Sequence, residues 1–362
     1  MNAIRPRFVL VVLAAVSLLI GLWAGMVRIG WVLPRPTEEF VLVHGPLMVV
    51  GFLGTLIGLE RAVALHRWWL YGIPVFSALT PITLFAAPVE LTASLAAAAS
   101  ILLIAVFIAL YRQYPSAHFI IMALSAVTWL VGNALWLTGF PMFALVPWWA
   151  AFLVLMIAAE RLELSRLRQP TALVRLVFHA AVAVILIGLG YSFLNLHTAI
   201  RIGGIGFLIL ALWLLRYDLV WKSVQQVGLP RLMAICLIAG YVWLAAAGVL
   251  WIIFAEFFSA GPRYDAMLHA IFLGFVFSMI FAHAPIILPT ITGLPLPFQN
   301  AFYLHAGLLH LSVLLRISGD LALLLSMQRW AGLLNAGAIL LFLVNNVRAV
   351  RLGANGRSIR KN

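Results

Sequence analysis

Asp265-Ala-Met-Leu-His-Ala-Ile-Phe-Leu-Gly-Phe-Val-Phe-Ser-Met-Ile-Phe-Ala-His283 is almost wholly apolar, and it holds His269 near its start and His283 at its end. Continued to Ile291, the run is long enough to cross a bilayer as one helix, because about 20 residues at about 1.5 Å each cover the hydrocarbon core. Hydrocarbon gives an imidazole no water, so each ring nitrogen needs a protein or metal partner. The neighbouring runs repeat the pattern: His44 opens the apolar stretch Phe40–Leu59, and His305 and His310 lie on the stretch after Ile291. So many imidazoles in lipid mark a functional region.

Composition agrees with a chain that lives in a membrane. Of its 362 residues 65% are hydrophobic and 9% charged, with a mean hydropathy of +1.12; a soluble domain carries about 25% charged residues. Apolar windows fall roughly at 8–28, 40–59, 68–87, 89–111, 117–140, 142–159, 172–193, 196–217, 231–255, 265–291, 298–319 and 328–347. They predict an all-α, polytopic membrane protein of about twelve transmembrane helices in a single integral membrane domain, kinked at Pro-bearing runs such as Ile73–Ala87. The stretch Phe8–Val27 after Arg5 and Arg7 exceeds a signal-peptide core and reads as the first span. With that span count Arg28, Arg35, Arg201, Arg263, Arg316 and Arg329 fall on one side, and the rest of the 23 Lys and Arg fall on the side of the termini. The positive-inside rule makes the second side cytoplasmic, termini included. The net charge of +13 is this bias and gives no nucleic-acid partner, because no basic run carries interleaved aromatics. The single Cys236 excludes a disulfide framework within one chain.

An internal repeat divides the helices. Gly51-Phe-Leu-Gly-Thr-Leu-Ile-Gly-Leu-Glu-Arg61 aligns without gaps to Ala151-Phe-Leu-Val-Leu-Met-Ile-Ala-Ala-Glu-Arg161, and more weakly to Gly274-Phe-Val-Phe-Ser-Met-Ile-Phe-Ala-His283. The copies fall on helices two, six and ten, which predicts three pseudo-repeated four-helix units, roughly 1–115, 116–230 and 231–362. Glu60-Arg61 and Glu160-Arg161 are expected to pair between repeats at the cytoplasmic interface.

His44 and His269 each stand about four residues into helices of one direction, about 6 Å below the outer edge. Imidazoles at matched depth on neighbouring helices can hold a planar macrocycle from both faces, as in a bis-His haem. The competing reading is a hydrogen bond from each ring to a main-chain carbonyl. Gly45, Gly51, Gly54 and Gly274 are expected to leave room for a flat ligand. His283 should precede a helix break at Pro285 and Pro289, and broken helices line sites. His305 should share its depth, and His310 should lie nearer mid-membrane, about 140° around the helix from His305. His305 and His310 cannot pair on a regular helix, so His283 with one of His305 and His310 makes the candidate metal ligands, for copper or haem iron, with His179 as an extra one. Arg316, four residues before Asp320, is a candidate partner for haem propionates, against a plain salt bridge. Trp23, Trp31, Trp68, Trp69, Trp148 and Trp149 fit an aromatic belt, and His66, His118 and His197 read as solvated.

The segment His269–Gly293, which opens His-Ala, carries Gly274 and Met279 and closes Thr292-Gly293, resembles the corresponding helix of the NnrS family. His44-Gly-Pro-Leu-Met-Val-Val-Gly-Phe52 is similar to that family's early His…Met-x-x-Gly-Phe helix. The family consists of twelve-helix bacterial membrane proteins that bind haem and copper and are linked to nitric oxide. The overall layout is also similar to haem–copper oxidase catalytic subunits. The resemblance implies His44 and His269 as ligands of a b-type haem, copper as a second cofactor, and nitric oxide or another small gas as partner. It implies the bacterial inner membrane as location and, if the chain is an enzyme, a haem-dependent oxidoreductase. The chain departs from the pattern in having a lone His44 where the family has His-x-His-Glu, no histidine on helix six and no His-His pair on helix seven. Two other functions fit the same residues: a membrane transporter, of metal ions for instance, using His283, His305 and His310, and an assembly or structural membrane protein.

Overall fold

The computed structural model describes residues 6–359, and every regular element among them is helical. In chain order the long helices are α1 (Arg7–Arg28), α2 (Glu38–Leu65), α3 (Trp68–Ala78 and Thr80–Ala86), α4 (Val89–Gln113), α5 (Ala117–Leu137) and α6 (Met142–Arg168). They continue with α7 (Ala172–Tyr191), α8 (Leu196–Tyr217), α9 (Leu229–Phe257), α10 (Pro262–Thr292), α11 (Phe302–Leu321) and α12 (Leu325–Ala354). Ten are long and apolar enough to cross a membrane, or eleven with the two arms of α3 counted as one span. The protein is therefore an all-α polytopic membrane protein. The remaining helix, α11, has 20 residues but carries buried Arg316, Asp320 and His305, which sets it apart from a plain lipid span. Arg5, Arg360 and Lys361, counted above toward the cytoplasmic side, lie outside the described residues.

Helix ends follow local chemistry. Thr171 and Asn195 cap α7 and α8 by accepting from the amides of Val174 and Thr198. Gly261, at φ 85°, turns the chain into α10, and Pro262 occupies its first turn. The bend of 44° in α3 falls at Leu79, just before Pro81, as the sequence predicts. The break expected at Pro285 and Pro289 is absent, because α10 stays helical through both prolines to Thr292. Each proline removes one amide bond, and a helix surrounded by other helices tolerates that loss.

The chain gathers into two compact units, Met1–Phe152 with Thr290–Gly293, and Leu153–Pro289 with Leu294–Asn362. In the first, Asn133 of α5 is wholly buried and donates to the Ala96 carbonyl (3.1 Å) and Ser100 Oγ (2.8 Å) of α4. Its Oδ1 accepts from Trp149 Nε1 of α6 at 3.0 Å. Trp148 and Trp149 are thus core residues rather than members of an aromatic belt, whereas Trp68 is 86% exposed. In the second unit α8 and α9 meet through Gly204 and Gly248, where a Cβ on either would come within 2.7 Å of the other's carbonyl oxygen. Small residues that let backbones touch are the usual device for helix packing in lipid.

Candidate functional site

Two helices contain a rare irregularity at corresponding places. α2 is π-helical over Leu47–Gly54 and α10 over Ala270–Phe277. Under the alignment of Gly51 with Gly274 these two segments start and stop at the same positions. Each ends on a hydroxyl residue: Thr55 donates to the Gly51 carbonyl (2.6 Å), and Ser278 donates to the Gly274 carbonyl. The Thr55 amide reaches back to Phe52 and the Ser278 amide to Phe275. The i→i+5 pairing of π-helices is uncommon and concentrates at functional sites. The middle copy of the repeat, on α6, is plain α-helix.

His44 lies three residues and His269 one residue ahead of these segments. His44 Nδ1 donates to the Gly21 carbonyl of α1 at 2.7 Å. Gly25 lies against the same ring, since a Cβ there would sit 3.0 Å from Cε1 and Nδ1. His269 Nδ1 donates to the Asp265 carbonyl at 2.9 Å and lies 3.2 Å from Asp265 Oδ2. A carbonyl only accepts, so both rings carry a hydrogen on Nδ1, and the neutral form of each has its lone pair on Nε2. This is the tautomer a histidine presents to a metal, with the Nδ1 bond fixing the ring. The glycines expected to leave room for a ligand instead admit neighbouring side chains. A Cβ at Gly51 would meet Ser17 Oγ at 2.7 Å, one at Gly54 the Trp129 ring at 2.9 Å, and one at Gly274 the Trp243 side chain at 2.6 Å. Only at Gly45 are the contacts ordinary, with Met142 and Trp149 at 3.8 Å.

At the His269 end of α10 buried charge collects. Arg316 of α11 makes two bonds to Asp265, Nε to Oδ2 at 2.7 Å and NH2 to Oδ1 at 3.1 Å. The guanidinium expected to face haem propionates, or Asp320, is thus committed to Asp265. Asp320 is wholly buried beside this pair, and among the described residues neither of its carboxyl oxygens has a hydrogen-bond partner.

A second buried cluster lies farther along α10. Arg161 of α6 approaches His283 Nε2 (3.3 Å) and Asp218 Oδ2 (3.9 Å), and the Tyr241 hydroxyl donates to Asp218 Oδ2 at 2.9 Å. Asp218 Oδ1 accepts from the Val220 amide. His283 donates from Nδ1 to the Met279 carbonyl, so its Nε2 lone pair is taken by Arg161. His305 Nδ1 accepts from Asn345 Nδ2 at 3.1 Å inside a ring of Phe281, Phe302 and Phe342. His310 Nδ1 accepts from Trp243 Nε1 at 3.2 Å.

The candidate metal ligands, His283 with one of His305 and His310, are therefore engaged separately, each with its lone pair occupied. Among the described residues no three His, Cys, Asp or Glu side chains converge to hold a metal ion. His179 bonds its own helix at the Arg175 carbonyl. His118, expected in solvent, is buried and paired with Ser116 Oγ at 2.8 Å. Gly21, Gly25, Asp218 and Tyr241 were not singled out by sequence. The spacing Gly21-x-x-x-Gly25, a small-residue face on a lipid helix, was the available signal for the first two.

Helical architecture and intramembrane charge together define a multi-pass membrane protein with a polar, histidine-bearing interior. The chain belongs to a family described as a domain of unknown function, DUF8744, which matches residues 7–351. Neither a curated protein nor a solved structure matches it.

Proposed function

We propose that this chain is a twelve-helix, haem-binding protein of the bacterial inner membrane, with both termini cytoplasmic, that acts in nitric oxide or related redox metabolism. His44 and His269 are the imidazoles it offers to iron. The observation that carries this reading is their shared local construction: each ring is fixed through Nδ1 to a main-chain carbonyl, with its lone pair on Nε2, just ahead of a matching π-helical segment. The donor set suits haem iron. Bound haem would supply a one-electron centre, and its iron a place for a small gas. The chain's own part is to fix ring orientation and, at His269, to set a carboxylate beside the imidazole, which raises ligand basicity. The matching segments also support the repeat on helices two and ten, and with it the three-unit layout. The occupied lone pairs of His283, His305 and His310 weigh against a copper site or a metal-transport site built from those three.

The test is a reduced-minus-oxidised absorption spectrum of the protein purified in mild detergent from haem-replete cells, with metal analysis of the same sample. Sharp haem bands are expected, and His44→Ala and His269→Ala should each abolish or shift them. A colourless, folded protein overturns the proposal.

A further inference from the structure

We propose that Asp320 is a proton-binding site of this protein, a carboxyl group that holds its proton inside the membrane next to the Asp265–Arg316 ion pair. The inference rests on α10, α11 and α12 of the second unit and is independent of haem.

With His269 neutral, its Nδ1 hydrogen given to the Asp265 carbonyl beside Oδ2, the local charges do not balance without that proton. Two carboxyl groups, Asp265 and Asp320, share the neighbourhood of one guanidinium, Arg316. Arg316 directs Nε and NH2 at Asp265, at 2.7 and 3.1 Å, so Asp265 is the ionised partner. Asp320 is 0% exposed, and among the described residues both its oxygens lack a hydrogen-bond partner. An ionised carboxylate in that position would be cut off from solvent, with Arg316 turned to Asp265 and the Gln328 amide as its neighbouring donor, which costs several kcal/mol or more. A second negative charge beside Asp265 adds to the cost. Protonation removes both penalties and turns Asp320 into a donor. Its polar neighbours are the Asp265 carboxylate, Arg316 and the Gln328 side chain of α12, so an acceptor for that hydrogen is at hand. A metal cation is the poorer occupant, because no third His, Cys, Asp or Glu completes a coordination shell among the described residues. Carboxyl groups held in this way inside membranes commonly belong to proton-handling sites.

The chain makes the test clean, because Asp218, Asp265 and Asp320 are its only aspartates. Asp218 accepts from Tyr241 and the Val220 amide, and Asp265 accepts from Arg316, so both carboxylates have donors that Asp320 lacks. Infrared spectra of the purified protein at neutral pH should show a protonated-carboxyl C=O band that shifts in heavy water and is lost in Asp320→Asn. Heavy-carbon labelling of aspartate should move the same band in the unsubstituted protein, so the test does not depend on the variant folding. The unfolding midpoint should be nearly unchanged by Asp320→Asn, a neutral replacement for a neutral group, and should drop on Asp265→Asn. The proposal fails if no labelled aspartate band appears in the protonated region or if the band survives Asp320→Asn. It also fails if Asp320→Asn lowers the midpoint as far as Asp265→Asn does. A sodium-dependent rise of the midpoint that Asp320→Asn abolishes would assign the site to sodium instead and overturn the proton.

Discussion

Replacing Arg316 with methionine removes a buried guanidinium and keeps most of the side-chain volume. Arg316 and Asp265 have side chains 7% and 12% exposed, so solvent screens their attraction little. At an effective dielectric near 20 and charge centres about 4 Å apart, the attraction is about 4 kcal/mol. Breaking a buried pair from one side costs about 3–5 kcal/mol, because the surviving charge is stranded. We therefore expect Arg316→Met to destabilise the protein by about 3–5 kcal/mol, and Asp265→Asn by a similar amount. The double variant strands no charge and should recover most of the loss, giving a coupling of at least about 2 kcal/mol. His269 keeps its bond to the Asp265 carbonyl in all three variants, because that acceptor is main chain. The assay is equilibrium unfolding of purified protein in mixed micelles, followed by far-ultraviolet circular dichroism. If the two single losses add, with coupling below about 0.5 kcal/mol, the pair is not a buried ion pair and the charge argument around Asp320 loses its base.

Tyr241→Phe deletes the hydroxyl that donates to Asp218 at 2.9 Å and should cost about 1.5–3 kcal/mol in the same unfolding assay, the range for a bond to a charged group. Gly274→Ala sets a Cβ 2.6 Å from Trp243 and should cost about 1–3 kcal/mol by overpacking. Gly337→Ala, where a Cβ meets nothing within 4 Å, should instead gain up to about 1 kcal/mol of helix propensity. Asn133→Leu strands Trp149 Nε1, while Ser100 keeps its own bond to the Ala96 carbonyl, and should lower stability by about 1–3 kcal/mol for the one group left unpaired, with a change in tryptophan emission as the second readout.

Helix positions were legible in the sequence because lipid leaves one simple rule: a run of about 20 apolar residues closes its own backbone bonds. The bend at Leu79 was legible too, because Pro81 removes a donor at a fixed place. Pro285 and Pro289 misled, since neighbouring helices can hold a proline-bearing span straight and no local signal reports those neighbours. The π segments had no composition of their own, and only the alignment of Gly51 with Gly274 pointed to the two stretches. Pairwise partners were the least legible. Arg316 and Asp320 have i,i+4 spacing, yet Arg316 turns to Asp265, 51 positions away in the chain. Similarly, the ring nitrogens of His305 and His310 are set by Asn345 and Trp243, which are distant in sequence. Periodicity shows which face a residue occupies on its own helix, but not which donor waits across the interface.

The π-helical stretches of α2 and α10 also bear on how the gene can change. Eight residues in i→i+5 pairing cover about the two turns that seven take in an α-helix, so each stretch carries about one surplus residue. A single-codon deletion elsewhere in a span turns everything beyond it by about 100° and swings buried groups toward lipid. Within Leu47–Gly54 or Ala270–Phe277 the same deletion lets the ladder relax to ordinary pairing while the far half keeps its facing. Arg61 and His283, on the far halves of α2 and α10, would keep their orientation. These two windows are thus where the reading frame of the membrane domain has slack, and single-residue length variation among relatives should gather there.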